Sequence, residues 1–225
     1  MGFELIVPRS NGRLIVFEGG HGSGKTTQAM ALVKHLQDKG TAARYSKEPY
    51  GDDLIRIIEK YATEHLSGSP VLMYLLAASR YLHVQDIKSW LDAGEFVVCD
   101  RYILSSLVYQ QIQGMTMKEI TRVNYFAIKP EMTFFLDVSL KKRMERMSSM
   151  QRNRNSYFFK EGQLVKEQEL YSSLVTCWNE KKYGRIVVID GEGDVTKIKQ
   201  ILINSLFPDG GRIHKCKLNQ SDLKR

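Results

Sequence analysis

Gly19, Gly24, Lys25 and Thr26 stand at the spacing G-x-x-x-x-G-K-T, inside the stretch Gly19-Gly20-His21-Gly22-Ser23-Gly24-Lys25-Thr26-Thr27. Residue types in this order suit the binding of a nucleotide's phosphates, and the whole stretch is the candidate loop for a nucleotide triphosphate. Its glycines let the backbone curl around an anion with N–H groups turned inward, and a helix starting behind them adds positive potential. Lys25 can neutralise β- and γ-phosphate oxygens, and the Thr26 hydroxyl can ligate Mg²⁺. A second chemistry-bearing pair, Asp100-Arg101, follows the apolar run Phe96-Val97-Val98-Cys99. The carboxylate could hold Mg²⁺ through its water shell beside Thr26, and Arg101 could contact the phosphate that receives a transferred group. Taken alone, the pair also fits a surface ion pair or a helix cap.

These residues need a scaffold, and the hydrophobic pattern predicts one. Leu14-Ile15-Val16-Phe17 runs into the loop as a buried strand, and residues 28–39 after it carry Met30, Leu32, Val33 and Leu36 at helical spacing. Further strands are expected at 42–46, 96–100, 132–138 and 185–190, with helices at 54–61, 71–91, 104–112, 120–128 and 164–178. Alternating strands and helices imply an α/β fold: a central parallel five-stranded sheet between two helical layers, a three-layer α/β/α architecture. Ligands bind such sheets at the carboxyl ends of the strands. Glu18, Lys47-Glu48-Pro49, Asp100-Arg101-Tyr102 and Asp137 all fall at strand ends and therefore converge on one edge.

Composition narrows the partners. The chain has 225 residues, with 33 Lys and Arg against 25 Asp and Glu, a formal charge of +8. One domain is expected over 1–209, followed by a basic tail at 210–225. A basic cleft that gathers anionic phosphates accounts for the charge; no RNA-binding or helix-turn-helix signature accompanies it, so no nucleic-acid partner is expected. No apolar run reaches the length of a membrane span and the first ten residues lack a signal peptide's apolar centre, so no membrane partner and a cytoplasmic location are expected. Cys99, Cys177 and Cys216 lie far apart, which supports neither a disulfide framework nor a zinc site. Trp90 and Trp178 fall on apolar helical faces and read as core or interface.

The segment Asp100-Arg101-Tyr102-Ile103-Leu104-Ser105-Ser106-Leu107-Val108-Tyr109-Gln110 resembles the D-R-Y-x-x-S-S-x-A-Y-Q block of thymidylate kinases. Leu75-Leu76-Ala77-Ala78-Ser79-Arg80 is similar to that family's L-L-F-A-A-D-R helix, Met132 to Val138 to its fourth strand, and Lys47-Glu48-Pro49 to its R-E-P. The matches occur in family order over about residues 13–206. The resemblance implies the P-loop nucleoside monophosphate kinase fold and Mg²⁺-assisted transfer of the ATP γ-phosphoryl group to dTMP, giving dTDP and ADP. It further implies ATP and dTMP as small-molecule partners, a homodimer, Arg101 on the acceptor phosphate, Arg80 and Gln110 on the thymine edge, and Glu48 and Ser105 in the same pocket. A kinase for another deoxynucleotide or deoxynucleoside, and a catalytically silent nucleotide-binding regulator, are the alternatives.

The fourth strand leads through Arg146 into residues corresponding to the family's lid, about 147–160. One subgroup of the family carries an arginine in the phosphate loop and the other supplies arginines from the lid. This loop has Ser23 and no arginine, so the resemblance assigns the catalytic charge to Arg146, Arg152 and Arg154, with Lys25 and Arg101. The chain departs from the family at four points. His21 stands where a carboxylate usually faces the sugar. Leu76 replaces a phenylalanine expected to stack on thymine, which weakens stacking, and Tyr74 cannot replace it from a different helix face. Lys47 and Asn153-Arg154 replace an arginine and an Asp-Arg pair. Residues 189–194, with Gly191 and Gly193, follow the last strand where the family's backbone packs against adenine, or form an ordinary turn.

Overall fold

The computed structural model describes residues 5–6, 11–64, 70–149 and 161–208. The parallel strands are β1 (Arg13–Glu18), β2 (Ala43–Lys47), β3 (Phe96–Asp100), β4 (Met132–Asp137) and β5 (Arg185–Asp190), in the spatial order β2-β3-β1-β4-β5. Between them run α1 (Lys25–Asp38), α2 (Asp52–Glu64), α3 (Pro70–Asp92), α4 (Ile103–Ile112), α5 (Met117–Val123), α6 (Leu140–Ser148), α7 (Glu161–Thr176) and α8 (Glu180–Tyr183), with α9 (Val195–Leu206) last.

The two-residue period of β1 sorts its side chains onto two helical layers. Ile15 and Phe17 pack with Phe134 and with Leu32, Leu36, Ile198 and Leu202 of α1 and α9. Leu14 and Val16 point the other way, against Val84, Ile87 and Leu91 of α3 and Leu107 of α4. Ile15, Phe17, Leu32, Leu36 and Ile87 are fully enclosed, each contributing about 1.5–3 kcal/mol through burial. Cys99 is part of this core, and Trp90 and Trp178 are partly buried against it. No described helix is long and apolar enough to cross a membrane.

Three local expectations change. Met30 is 55% exposed, because the stripe of α1 that meets the sheet is Ala29, Leu32, Val33 and Leu36, and Met30 lies off it. The helix expected over 120–128 is α5 and stops at Val123: a capping box between Thr116 and Glu119 starts it early, and Ile128 instead bridges to Ile6 as an extended residue. Strand β2 begins at Ala43 and extends to Lys47, which pairs with Asp100.

Candidate active site

The phosphate loop joins β1 to α1 at the carboxyl edge of the central strand. Gly24, at φ 93°, precedes α1 with no side-chain cap, so the first amides of the helix face the loop. Lys25 is buried and its Nζ donates to Gly19 O (2.8 Å), Gly20 O (2.7 Å) and Ser23 Oγ (3.3 Å). Burial, then the nearby Arg101 charge, pull its pKa down to about 7. Thr26 Oγ1 donates to Asp100 Oδ2 at 2.5 Å, and Tyr45 OH reaches the same oxygen at 3.3 Å. The other carboxylate oxygen, Asp100 Oδ1, is buried without a hydrogen-bond partner. A hydroxyl beside a carboxylate with an unused oxygen fits Mg²⁺, which takes one or two protein oxygens and otherwise phosphates and water. Among the described residues no three His, Cys, Asp or Glu side chains cluster as a larger metal site.

Arg101 has φ 72°, unlike every other described non-glycine residue, a conformation that costs of order 1 kcal/mol or more. Its backbone is held from both sides: Arg101 N donates to Phe17 O, and the buried Glu18 carboxylate behind it accepts from Tyr102 N (2.8 Å), Ser105 N (3.0 Å) and Ser105 Oγ (2.6 Å). Glu18 thereby caps α4 from a different element. Burial raises the Glu18 pKa, against the lowering pull of those hydrogen bonds and of Arg101. The Arg101 guanidinium donates to Ser105 Oγ and Tyr109 OH and lies over the Tyr109 ring.

Two cavities meet at this point. The larger, about 700 Å³, is lined by the loop, Thr27, Asp100, Arg146, Gly191 and Gly193. The smaller, about 180 Å³, is lined by Glu48, Leu76, Arg80, Ser105, Tyr109 and Gln113, among others. His21 and Arg101 belong to both. Arg146 lines the larger one and joins two of its walls, with Nη1 on Ser23 O (3.2 Å) and Nη2 on Gly191 O (2.9 Å).

The structure brings Glu48, Arg80, Arg101 and Ser105 to the smaller cavity. Arg80 is a buried clamp there: it pairs with Glu48, and donates to Asn124 Oδ1 (2.5 Å), Tyr102 O (3.1 Å) and Ser106 Oγ (2.8 Å). Burial alone would raise the Glu48 pKa; the charge of Arg80 holds it below the ordinary value. Gln110 lines neither cavity and is fully buried, both amide atoms without partners. It sits one residue, or 100° of helix, past Tyr109, on the flank of the stripe that faces the cavity. Tyr74 is 58% exposed and away from the site. Arg152 and Arg154, most of the lid at 147–160, the tail at 210–225 and Cys216 lie outside the described residues.

Sequence reasoning missed the group that fixes the loop from above. Glu167 of α7 is buried, pairs with Arg143 of α6, and accepts from His21 N (3.2 Å) and Tyr109 OH; His21 Nδ1 lies 2.8 Å from the same carboxylate and 2.9 Å from Tyr109 OH. Arg143 Nε donates to His21 O at 2.9 Å. Burial pushes the Glu167 pKa up, but hydrogen bonding and charge from His21, with the Arg143 charge, hold it well below the carboxylate range. Burial and the charge of Arg101 lower His21 to about 4, which keeps the imidazole neutral at neutral pH. The closeness of Arg143 explains Gly20: a Cβ there would stand 2.2 Å from Arg143 Nη1. The signal that could have pointed to this group is Arg143, a basic residue three positions before Arg146.

A parallel sheet in this strand order, with a phosphate loop after its central strand and two cavities meeting at one arginine, is the α/β P-loop nucleoside monophosphate kinase fold. The family model for thymidylate kinase matches residues 17–201. A probable thymidylate kinase of Methanococcus maripaludis is 33% identical over 199 residues, covering 87% of this chain and 95% of that protein. One of Thermococcus kodakarensis is 32% identical over 200 residues, covering 84% and 94%. The solved structure of thymidylate kinase from Candida albicans superposes with a TM-score of 0.69 at 22% identity, over 88% of this chain and 92% of that one, and shares the fold. The chain belongs to the thymidylate kinase family.

Proposed function

We propose that the protein transfers the γ-phosphoryl group of ATP to the 5′-phosphate of dTMP, giving dTDP and ADP. The observation that carries this reading is the meeting of a large and a small cavity at His21 and Arg101. Two pockets that share a cation hold a donor and an acceptor phosphate side by side, as in-line transfer requires, and family membership supplies the identity of the two substrates. Lys25 and the loop amides hold the donor phosphates, and Arg101 neutralises the acceptor phosphate next to them. Arg146 bridges the loop to Gly191 and is within reach of the transferring group; Arg152 and Arg154 belong to the same lid proposal. Mg²⁺, held by Thr26 and Asp100, would neutralise charge on the phosphates. The chain's own contribution is positioning and fixed positive charge, because phosphoryl transfer has little covalent chemistry for a protein to do. Glu48, Arg80 and Ser105 shape the acceptor pocket, with Gln110 buried beside it. Family membership supports a homodimer in the cytoplasm as part of the same reading.

The test is a coupled ADP-release assay of the full chain with dTMP, dUMP, dCMP and thymidine. Preference for dTMP is expected. Preference for unphosphorylated thymidine, or turnover of none of the four with ATP still bound, overturns it.

A further inference from the structure

Strand β2 brings an aromatic side chain beside the carboxylate of β3. Tyr45 pairs with Val98, two residues before Lys47 pairs with Asp100. Side chains alternate along a strand, so Tyr45, Val98 and Asp100 share one face of the sheet, the face that meets α1. The Tyr45 ring packs there on the cluster that contains Phe17, Leu32 and Val98. A phenylalanine would supply that packing equally well. What the hydroxyl adds is a hydrogen bond at the strand end, donated to Asp100 Oδ2 at 3.3 Å.

Asp100 therefore has partners on one side alone. Oδ2 accepts from Thr26 Oγ1 at 2.5 Å and from Tyr45 OH, whereas Oδ1 is buried and has no hydrogen-bond partner among the described residues. The terminal torsion of an aspartate is broad, so a carboxylate held by one donor can turn. Two donors on one oxygen, from α1 and from β2, oppose that rotation and keep Oδ1 as the oxygen left over. The two donors are not equivalent. Thr26 lines the larger cavity, and its oxygen is itself read as a Mg²⁺ ligand. Tyr45 lines neither cavity and is anchored in the core, so its effect on a ligand passes through Asp100.

We propose that Tyr45 is a positioning residue for the Mg²⁺ of the donor nucleotide: its hydroxyl fixes the orientation in which the Asp100 carboxylate offers Oδ1 to the water shell of the ion. This rests on the reading of Thr26 and Asp100 as the Mg²⁺ site. Mg²⁺ demands near-ideal octahedral geometry, so it penalises a carboxylate that turns. A nucleotide without the ion is held by Lys25 and the loop amides and does not sense that rotation. The hydroxyl thus matters to metal-dependent binding and not to binding in general.

The experiment measures ADP binding to the full chain by calorimetry, with Mg²⁺ and with EDTA, for wild type, Tyr45→Phe, Asp100→Asn and the double variant. The ratio of the two affinities reports the ion, and binding in EDTA shows that each variant keeps a folded loop. Tyr45→Phe is expected to lower the ratio by about 10-fold, the lower end of what losing a hydrogen bond behind a metal-binding group costs in metal affinity, with affinity in EDTA unchanged. Mn²⁺ titration of the ADP complex, followed by electron paramagnetic resonance, should show the same loss from the side of the ion. Asp100→Asn should lower the ratio at least as far, and Tyr45→Phe should change nothing further in that background, because the hydroxyl acts through the carboxylate. A ratio in Tyr45→Phe within about twofold of wild type overturns the proposal. So does an equal loss with and without the ion, which assigns Tyr45 to the shape of the loop, and so do independent losses in the double variant. A wild-type ratio in Asp100→Asn overturns the Mg²⁺ assignment itself, and the proposal with it.

Discussion

Glu167→Gln isolates the buried group that holds the phosphate loop under α6 and α7. The wild-type carboxylate is 2% exposed and faces the Arg143 guanidinium, itself 3% exposed, together with His21 and Tyr109. Glutamine has nearly the same shape but turns a donor amide or a neutral oxygen toward a guanidinium that cannot lose its proton. Removing one partner of a buried ion pair costs about 3–5 kcal/mol, because the other charge stays buried. Arg143 keeps its contact with His21 O, which places the expected loss near the lower figure, still a large part of a domain stability of about 5–15 kcal/mol. Urea unfolding followed by the fluorescence of Trp90 and Trp178 measures it. Arg143→Met should lose a similar amount, and the double variant should be more stable than the sum of the two losses implies by at least about 1 kcal/mol. Because the pair also positions the His21 backbone, KM for ATP should rise in either single variant. A loss below about 1 kcal/mol in Glu167→Gln, or strict additivity in the double variant, would refute the reasoning.

Two further outcomes follow from the site. His21 has a folded value of about 4 against an ordinary 6.5, so between those pH values the unfolded chain binds the extra proton and stability falls as pH drops; the full span is about 3 kcal/mol, and nearer 2 kcal/mol with 24% of the side chain in solvent. His21→Asn should flatten the stability profile from pH 6.5 to 4, while the depressed Glu167 carboxylate adds its loss below 4.5 with the same sign; an unchanged slope in urea titrations across that window contradicts the assignment. Arg146→Met, which removes the bridge between Ser23 O and Gly191 O, should lower kcat by about 10²- to 10³-fold if the guanidinium neutralises the transferring group, with KM for dTMP nearly constant; a change confined to KM for ATP would assign it to donor binding alone.

What the sequence made legible is what repeats or sits close together in the chain. The alternation of Leu14-Ile15-Val16-Phe17 and the loop that follows imply a buried strand, a turn and a helix, because period and spacing are local properties. Met30 defeats the same reasoning: its spacing fits a helix, but which face meets the sheet is decided by α9 and β4, which lie far along the chain. The Glu18 cap on α4 and the Arg143–Glu167 pair are contacts across 84 and 24 residues, and nothing in composition couples them. Gln110 and Gln113 show the finest limit. The family block ends at Gln110, whereas the helical stripe set by Tyr102, Ser106 and Tyr109 carries Gln113 into the lining of the smaller cavity and leaves Gln110 buried on its flank, a difference set by the rotation of α4.

The charged groups of the site are already bonded to the chain itself, and this sets how binding energy is used. Lys25 holds three oxygens of its own loop, Thr26 holds Asp100, Arg101 holds Ser105 and Tyr109, and Arg146 holds two carbonyls. At the three cations Lys25, Arg101 and Arg146 a nucleotide therefore exchanges partners with neutral oxygens; it does not desolvate bare charges. The free energy of that exchange is the difference between a phosphate and a carbonyl or hydroxyl as acceptor, which is favourable because hydrogen bonds to ionised oxygens are about twice as strong as neutral ones. Arg101, fixed at φ 72° by Phe17 O and the Glu18 cap, needs no backbone rearrangement to make the exchange. Preorganisation of this kind acts on the transition state more than on the ground state, since the phosphoryl group gains its contacts to fixed cations as charge spreads over its oxygens.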